Sequence, residues 1–166
     1  MTTQEKKIIK MVKEFAKKLP KFPDGRIDYT NSDTSLVITV FIKYKEKILI
    51  LKRSDKVGVY QEKWNTVTGY LDEPKPPIEK IMEEIREELG IMEKNILSYS
   101  LGEPFKFTDP KARKTWIVHP AKVELKNEPD IKLDWEHTEY KWIRPEELIK
   151  FDTVPNLDLS LKRGLM

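Results

Sequence analysis

Cysteine is absent from this sequence, and histidine is rare, with only His119 and His137. Without cysteine the chain has neither a disulfide framework nor a thiolate metal site. Any metal chemistry is therefore left to oxygen ligands and to these two imidazoles.

A long hydrophobic run is missing as well. No apolar stretch approaches the roughly 18 residues of a membrane span. The opening residues, MTTQEKKIIK, carry charges where a signal peptide needs an apolar run. We therefore expect a soluble, cytoplasmic protein without a membrane partner.

The sequence also lacks an excess of charge of either sign. Its 166 residues include 31 Lys+Arg and 28 Asp+Glu, which gives a net charge of +3. This balance is not the footprint of a nucleic-acid-binding protein, and we expect no specific nucleic-acid partner. The many charges of both signs, together with only two glutamines, are typical of proteins from hot habitats and predict thermostability.

Length and periodicity predict a single globular domain that begins with a helix. Apolar residues recur at helical spacing through 8–19, and Pro20 ends the pattern. We predict that residues 1–34 form this helix and a connection, and that residues 35–166 form the main domain. Two roles are open for this helix. It mediates a homodimer, or it covers the core of its own chain.

Strand and helix patterns interleave along the main domain. The runs 35–42 and 48–51 are short, β-rich and separated by YKEK, which predicts a hairpin of buried strands. A strand is predicted at 64–68, ending at Gly69, and the clearest helix of the chain at 78–89. Further strands are predicted at 96–101, 115–118, 121–125 and 140–143, and a further helix at 145–150. This order indicates an α/β or α+β sandwich.

Three glutamates share one face of the predicted helix at 78–89. Glu84, Glu87 and Glu88 lie three and four residues apart, which places their carboxylates on the same side. Like charges at these spacings cost roughly 0.2–0.5 kcal/mol per pair. A bound cation would remove the repulsion, and oxygen ligands select Mg²⁺ or Mn²⁺. The alternative is a solvated charged face without a ligand.

The sequence around these glutamates resembles the Nudix box. The segment GYLDEPKPPIEKIMEEIREELGI, residues 69–91, keeps the length and register of that motif without a gap. The matching positions are Gly69, Glu84, Ile85, Glu87, Glu88, Gly90 and Ile91. Lys75 stands where the motif has its first Glu, and Glu83 stands where it has Arg. Because both departures reverse the charge, and in opposite senses, we expect Lys75 and Glu83 to form an ion pair between loop and helix.

A second segment is similar to the late strand of Nudix hydrolases. In DWEHTEYKWIRPEEL, residues 134–148, Glu136 lies six positions before Trp142. In the family, an acidic residue near this place supplies a further carboxylate for the metal or for the base. The resemblance therefore adds Glu136, with Glu139 as an alternative, to the candidate site.

The resemblance to Nudix hydrolases implies a fold, an activity and a cofactor. The implied fold is an α/β/α sandwich with a mixed β-sheet. The implied reaction is hydrolysis of a pyrophosphate bond, dependent on Mg²⁺ or Mn²⁺, in a nucleoside diphosphate linked to another moiety or in a nucleoside polyphosphate. The partner is then a small nucleotide-like substrate. Glu84 and Glu88 become metal ligands and Glu87 a ligand or general base, with Glu136 or Glu139 as the alternative base.

Five further residues are candidates for holding the substrate: Lys52, Arg53, Gly69, Tyr60 and His137. Lys52 and Arg53 follow a predicted strand and resemble the basic residues with which the family binds phosphate. Tyr60 is a candidate for stacking on a base, although strand aromatics are more often core. His137 either orients the neighbouring carboxylate, contacts phosphate or is an exposed loop histidine.

Two interpretations from other classes compete with an enzyme. A Nudix-fold nucleotide-binding or interaction module whose catalytic site has decayed would account for Lys75 and Glu83. A protein or nucleic-acid interaction domain would use the lysine-rich N-terminal helix. The retention of three mutually repelling carboxylates favours the enzyme.

Overall fold

The computed structural model describes residues 1–165. In chain order these residues form α1 (Thr3–Lys18), β1 (Thr34–Tyr44), β2 (Lys47–Arg53), β3 (Trp64–Asn65), β4 (Val67–Tyr70), α2 (Pro77–Leu89), β5 (Ile96–Leu101), β6 (Phe105–Asp109), β7 (Lys114–Leu125), β8 (His137–Ile143) and α3 (Leu157–Leu165). Two short 3₁₀ helices, Glu93–Asn95 and Pro145–Lys150, complete the described elements.

The eight strands form one mixed sheet with β1 and β7 at its centre. These two strands run parallel, from Thr34 opposite Thr115 to Lys43 opposite Glu124. The other pairings are antiparallel: β1 with β2 and β4, β2 with β3 and β8, and β7 with β5 and β6. Strands β4 and β2 thus lie beside β1. The candidate site lies where β4 leads into α2.

Helices cover both faces of this sheet. Alternate side chains of β1 point to opposite faces, so Val40 packs into one hydrophobic cluster and Phe41 into the other. The first cluster includes Ile8 and Val12 of α1 and Ile81, Ile85 and Leu89 of α2. The second includes Leu157 and Leu161 of α3. The expected sandwich with a mixed sheet is confirmed.

The ends of α1 and α2 follow from local chemistry. Thr2 caps α1 by accepting the Glu5 amide, while the Glu5 carboxylate accepts the Thr2 amide. Pro77 starts α2, where a missing N–H costs nothing. Gly90 ends α2 in the left-handed region at φ 70°. The helix predicted at 78–89 and the hairpin of β1 and β2 are therefore confirmed.

Several boundaries differ from the sequence prediction. The strand predicted at 64–68 is split at Thr66, whose hydroxyl donates to the carbonyls of Val40 and Leu49. Strand β4 continues through Gly69 rather than ending there. The strands predicted at 115–118 and 121–125 are one continuous strand, β7. Strand β6 and helix α3 were not predicted, and residues 145–150 form a 3₁₀ helix.

None of the described helices combines the length and the apolar character needed to cross a membrane.

Candidate active site

Gly69 lets β4 approach α2 closely enough to seat Glu84. A Cβ added at Gly69 would lie 2.5 Å from Cδ and from Oε1 of Glu84. Real Cβ atoms essentially never come this close to a heavy atom, so any other residue here would displace the Glu84 carboxylate. Packing against Glu84 thus explains the glycine at the first position of the motif, and Gly69 also lines the neighbouring cavity.

Glu84 is held by a buried lysine. The Lys80 side chain is 5% exposed, and its Nζ lies 3.1 Å from Oε1 of Glu84 and 3.3 Å from Oδ1 of Asp72. Burial raises the pKa of Glu84, and the charge of Lys80 opposes that shift. Lys80 therefore links Asp72, in the loop before α2, to Glu84, which lies one helical turn after Lys80.

Glu88 is a buried carboxylate without a donor among the described residues. It is 2% exposed, and both of its carboxylate oxygens lack a hydrogen-bond partner. Burial raises the pKa of Glu88 well above its ordinary value, and the charges of Glu84 and Glu136 raise it further. An unpartnered charge in this position is costly unless a cation or a proton joins it.

His137 lies beside this carboxylate and is not an exposed loop histidine. It is 5% exposed at the start of β8, with Nε2 3.6 Å from Oε1 of Glu88. Its Nδ1 lies 3.1 Å from Oδ1 of Asp134, which also accepts the Glu136 amide. The imidazole thus contacts Glu88, and it also lies beside Glu136, one of the partners that the sequence suggested. Burial lowers the pKa of His137, and Asp134 opposes that shift.

Three neighbouring side chains could hold a metal ion. Glu88, Glu136 and His137 each offer one ligand atom, and these atoms lie within 4.8 Å of one another. The unpartnered oxygens of Glu88 give this set the free acceptors that a divalent cation needs. The chemistry of the donor set therefore fits the cofactor that the sequence implied.

A cavity of about 430 Å³ opens beside these groups. Glu84, Glu87 and Glu136 line it, so three of the predicted carboxylates meet there, while Glu88 is buried behind them. The lining also has an apolar and aromatic part, formed by Phe107, Trp116, Val118, Val154 and Leu157. Charged and apolar walls in one cavity suit a ligand with an anionic and a planar part.

Arg53 and Tyr60 shape the loop that borders this cavity. The Arg53 guanidinium donates from Nε and Nη2 to the Val59 carbonyl, at 3.2 and 3.0 Å. Burial lowers the pKa of Arg53. The Tyr60 hydroxyl donates to Asp109 at 2.6 Å, and burial together with this contact raises the pKa of Tyr60 to about 12. Both residues line the cavity, and both also fix the loop to the body of the protein.

Lys52 and Glu139 lie elsewhere. They are register partners on β2 and β8, and neither lines the cavity. Glu139 is exposed. Because successive strand residues point to opposite faces, Arg53 reaches the cavity where Lys52 does not.

The expected ion pair between Lys75 and Glu83 is present. Lys75 Nζ lies 2.9 Å from Oε2 of Glu83. The second oxygen of Glu83 accepts from Arg26 Nη2 at 2.6 Å. Sequence patterns gave no sign of Arg26, because it is 57 residues away from Glu83 and outside the motif. Asp134 and Lys80 were also missed as parts of the site, since their roles depend on neighbours brought close by folding.

A model of the NUDIX domain matches residues 33–163. The chain therefore belongs to the NUDIX family, as its motif had indicated, and it is an enzyme of the Nudix pyrophosphohydrolase class.

Individual relatives are distant. The nucleoside triphosphatase NudI of Escherichia coli O81 is 22% identical over 121 residues, which cover 70% of this chain and 86% of NudI. The MutT protein from Methanosarcina mazei Go1 superposes with a TM-score of 0.65 at 21% identity, over 80% of this chain and 94% of that one. A C. elegans Ap4A hydrolase binary complex gives 0.62 at 20% identity, over 78% and 93%. At these identities the structural likeness concerns the fold.

Proposed function

We propose that this protein hydrolyses a pyrophosphate bond in a nucleoside diphosphate linked to another moiety, or in a nucleoside polyphosphate, with Mg²⁺ or Mn²⁺. The observation that carries this proposal is Glu88, a buried carboxylate with two unpartnered oxygens beside Glu84 and Glu136. A solvated charged face would leave its carboxylates in water, whereas this one is enclosed. Enclosure without a donor favours a cation as the missing partner.

The cavity supports a nucleotide-like substrate. Its carboxylates and Arg53 suit the metal-bound phosphates, and Trp116 and Phe107 offer aromatic surfaces to a base. The relatives named above include a nucleoside triphosphatase and an Ap4A hydrolase, which agrees with this substrate class.

The residues that line or border the cavity have different proposed roles. Glu88 and Glu136, which lie close together beside His137, would hold the cation with Glu84 and Glu87 as further ligands. The cation when bound would neutralise phosphate charge and activate a water. Glu87 and Glu136 are the candidates to accept the proton of the attacking water at a carboxylate oxygen, because both line the cavity. Arg53 would orient a phosphate with the donors that Val59 leaves free.

Lys80 and His137 keep the carboxylates in place. Lys80 holds Glu84, and His137 packs against Glu88. We assign no role in binding to Lys52 or Glu139, since neither lines the cavity.

A nucleotide panel tests this function. Nucleoside triphosphates, nucleoside diphosphate sugars and dinucleoside polyphosphates are each incubated with Mg²⁺ or Mn²⁺, and the products are separated by ion-exchange chromatography. We expect hydrolysis of at least one class, loss of activity with EDTA, and loss of activity in Glu88→Gln. Turnover that persists in EDTA, or no turnover of any class with either metal, would overturn the proposal.

A further inference from the structure

Glu83 is bound by two cations that come from different parts of the chain. Lys75 Nζ contacts Oε2 at 2.9 Å, and Arg26 Nη2 contacts Oε1 at 2.6 Å. The Glu83 side chain is only 12% exposed, so water contributes little to its solvation. Although burial alone would raise the pKa of Glu83, the surrounding cations lower it. Lys75 and Arg26 together therefore satisfy this carboxylate.

Arg26 lies before residue 33, where the match to the NUDIX domain begins. The stretch around Arg26 is joined to the loop between β4 and α2 by three further contacts. The Ile27 amide donates to the Asp72 carbonyl at 2.9 Å, and the Tyr29 hydroxyl donates to the Leu71 carbonyl at 2.7 Å. Arg26 Nε lies 3.4 Å from Glu73. We call residues 26–29 the N-terminal brace.

The brace acts on the same loop that positions Glu84. Asp72 contacts Lys80 at 3.3 Å, and Lys80 contacts Glu84 at 3.1 Å. A shift of the loop would therefore move Asp72 and Lys80, and with them the Glu84 carboxylate. Arg26 fixes the loop through Glu73 and fixes the helix through Glu83, so it ties the two sides of this junction together.

We propose that Arg26 is a positioning residue for the active site, supplied from outside the Nudix motif. It completes the junction that Lys75 and Glu83 form with reversed charges. Its effect on turnover rests on the proposed function, but its effect on the loop does not.

Because Glu83 binds both Lys75 and Arg26, restoring the usual charges of the motif at positions 75 and 83 should not restore activity. In the double variant Lys75→Glu/Glu83→Arg, the loop-to-helix attraction is rebuilt, but Arg26 now faces an arginine at position 83. Like charges at this distance repel, so the double variant should remain impaired. Adding Arg26→Gln removes the repulsion and should recover activity.

The same substitution thus has opposite effects in two backgrounds. Arg26→Gln should lower kcat about tenfold in the natural sequence, the lower end of the range for residues that support metal ligands. It should raise kcat in the swapped background. A residue that only stabilises the fold would lower activity in both. If the swapped double variant recovers fully while Arg26 is present, the proposal is wrong.

Steady-state kinetics separate positioning from substrate binding, because Arg26 also borders the cavity. We expect Arg26→Gln to change kcat and the Mn²⁺ affinity while KM changes less than about twofold, and Arg26→Lys to recover part of the loss. A large rise in KM with unchanged kcat would make Arg26 a phosphate ligand instead. Lys21→Gln is the matched control: it removes one positive charge nearby, and within residues 1–165 the Lys21 Nζ donates to the Ala16 carbonyl alone.

A measurement without substrate keeps this test independent of the reaction. Amide hydrogen exchange is followed at residues 71–75 in metal-free protein. We expect faster exchange in Arg26→Gln than in Lys21→Gln, since the loop loses its ion pair at Glu73 and the adjoining helix loses the one at Glu83. Equal exchange in the two variants would overturn the brace. Faster exchange in a protein that hydrolyses no nucleotide would uphold the brace and refute the proposed function instead.

Discussion

The imidazole of His137 lies between carboxylates of two different segments, with Nε2 3.6 Å from Glu88 and Nδ1 3.1 Å from Asp134. The Asp134 contact fixes the orientation of the ring, and the ring packs against the buried glutamate of α2. The late segment of the chain therefore reaches the motif helix through this histidine as well as through Glu136.

Replacing His137 should weaken metal binding. His137→Gln removes the ring that positions Glu88, and supporting residues of this kind are worth about 10- to 100-fold in metal affinity or activity. We expect a loss in that range when Mn²⁺ binding is titrated by electron paramagnetic resonance. The exposed neighbour Thr138→Ala on the same strand is the control and should bind Mn²⁺ normally. Unchanged affinity in His137→Gln would contradict the positioning role.

Glu88→Gln should stabilise the metal-free protein. An amide keeps the shape of the carboxylate, removes a charge from a buried acidic cluster and provides a donor to Glu84 or Glu136. We expect the free energy of unfolding in EDTA to rise by about 1–3 kcal/mol, the usual cost of an unsatisfied buried polar group. Urea unfolding measures this.

The same variant should lose its response to metal. The natural protein should gain about 2.7 kcal/mol when Mn²⁺ is present at 100 times its dissociation constant, because the cation binds the folded state. Glu88→Gln should gain far less. A variant that is less stable than the natural protein in EDTA, yet is still stabilised by Mn²⁺, would show that Glu88 is not a ligand.

Gly69→Ala should impair the reaction more than the fold. The added methyl would occupy the place of the Glu84 carboxylate, which can rotate away from Lys80. Because a shift of about 1 Å in a catalytic group can cost roughly 100-fold in rate, we expect a loss of that order in kcat. The melting temperature should change by only a few degrees. Full activity in this variant would mean that Glu84 need not occupy its present position.

His119 should make the fold sensitive to acid. It is 2% exposed, and burial lowers its pKa from 6.5 to about 4. Between these two values the unfolded chain binds a proton that the folded protein does not. This contribution to stability is therefore complete above pH 6.5 and is lost as the pH falls towards 4. The loss between pH 7.5 and pH 5 should be about 2 kcal/mol.

Carboxylates titrate in the same range, so the test compares two proteins. Urea unfolding of the natural chain and of His119→Gln is measured at both pH values. The stability lost on acidification should be smaller in His119→Gln by about 2 kcal/mol. Parallel pH profiles would show that the pKa of His119 is the same in the folded and unfolded protein.

Local patterns were sufficient to predict the catalytic helix and its acidic face. The apolar period from Ile78 to Leu89, together with Pro77 and Gly90, determines where α2 begins and ends. The fixed spacing of the motif then brings Glu84 near Gly69. The reversed charges of Lys75 and Glu83 gave a correct ion pair because both residues belong to one loop-helix unit.

Contacts between distant segments were beyond these patterns. Arg26 contacts Glu83 only once the N-terminal stretch has folded across the loop. His137 becomes buried only when α2 packs over the start of β8. Strand β6 was not predicted, although Phe105 and Phe107 alternate with polar residues between Pro104 and Pro110. Thermostability and a homodimer stay predictions from composition and from the N-terminal helix.

During synthesis, β1 leaves the ribosome about 80 residues before β7, its parallel partner in the sheet. At a synthesis rate of roughly 5–20 residues per second, β1 and its neighbours remain without that partner for on the order of 4–16 seconds. Throughout this interval one edge of a strand rich in buried aliphatic residues is open to pairing with other chains. The nascent protein is therefore most prone to aggregate before residue 125 has emerged, and a chaperone that shields this edge would raise the yield of folded enzyme.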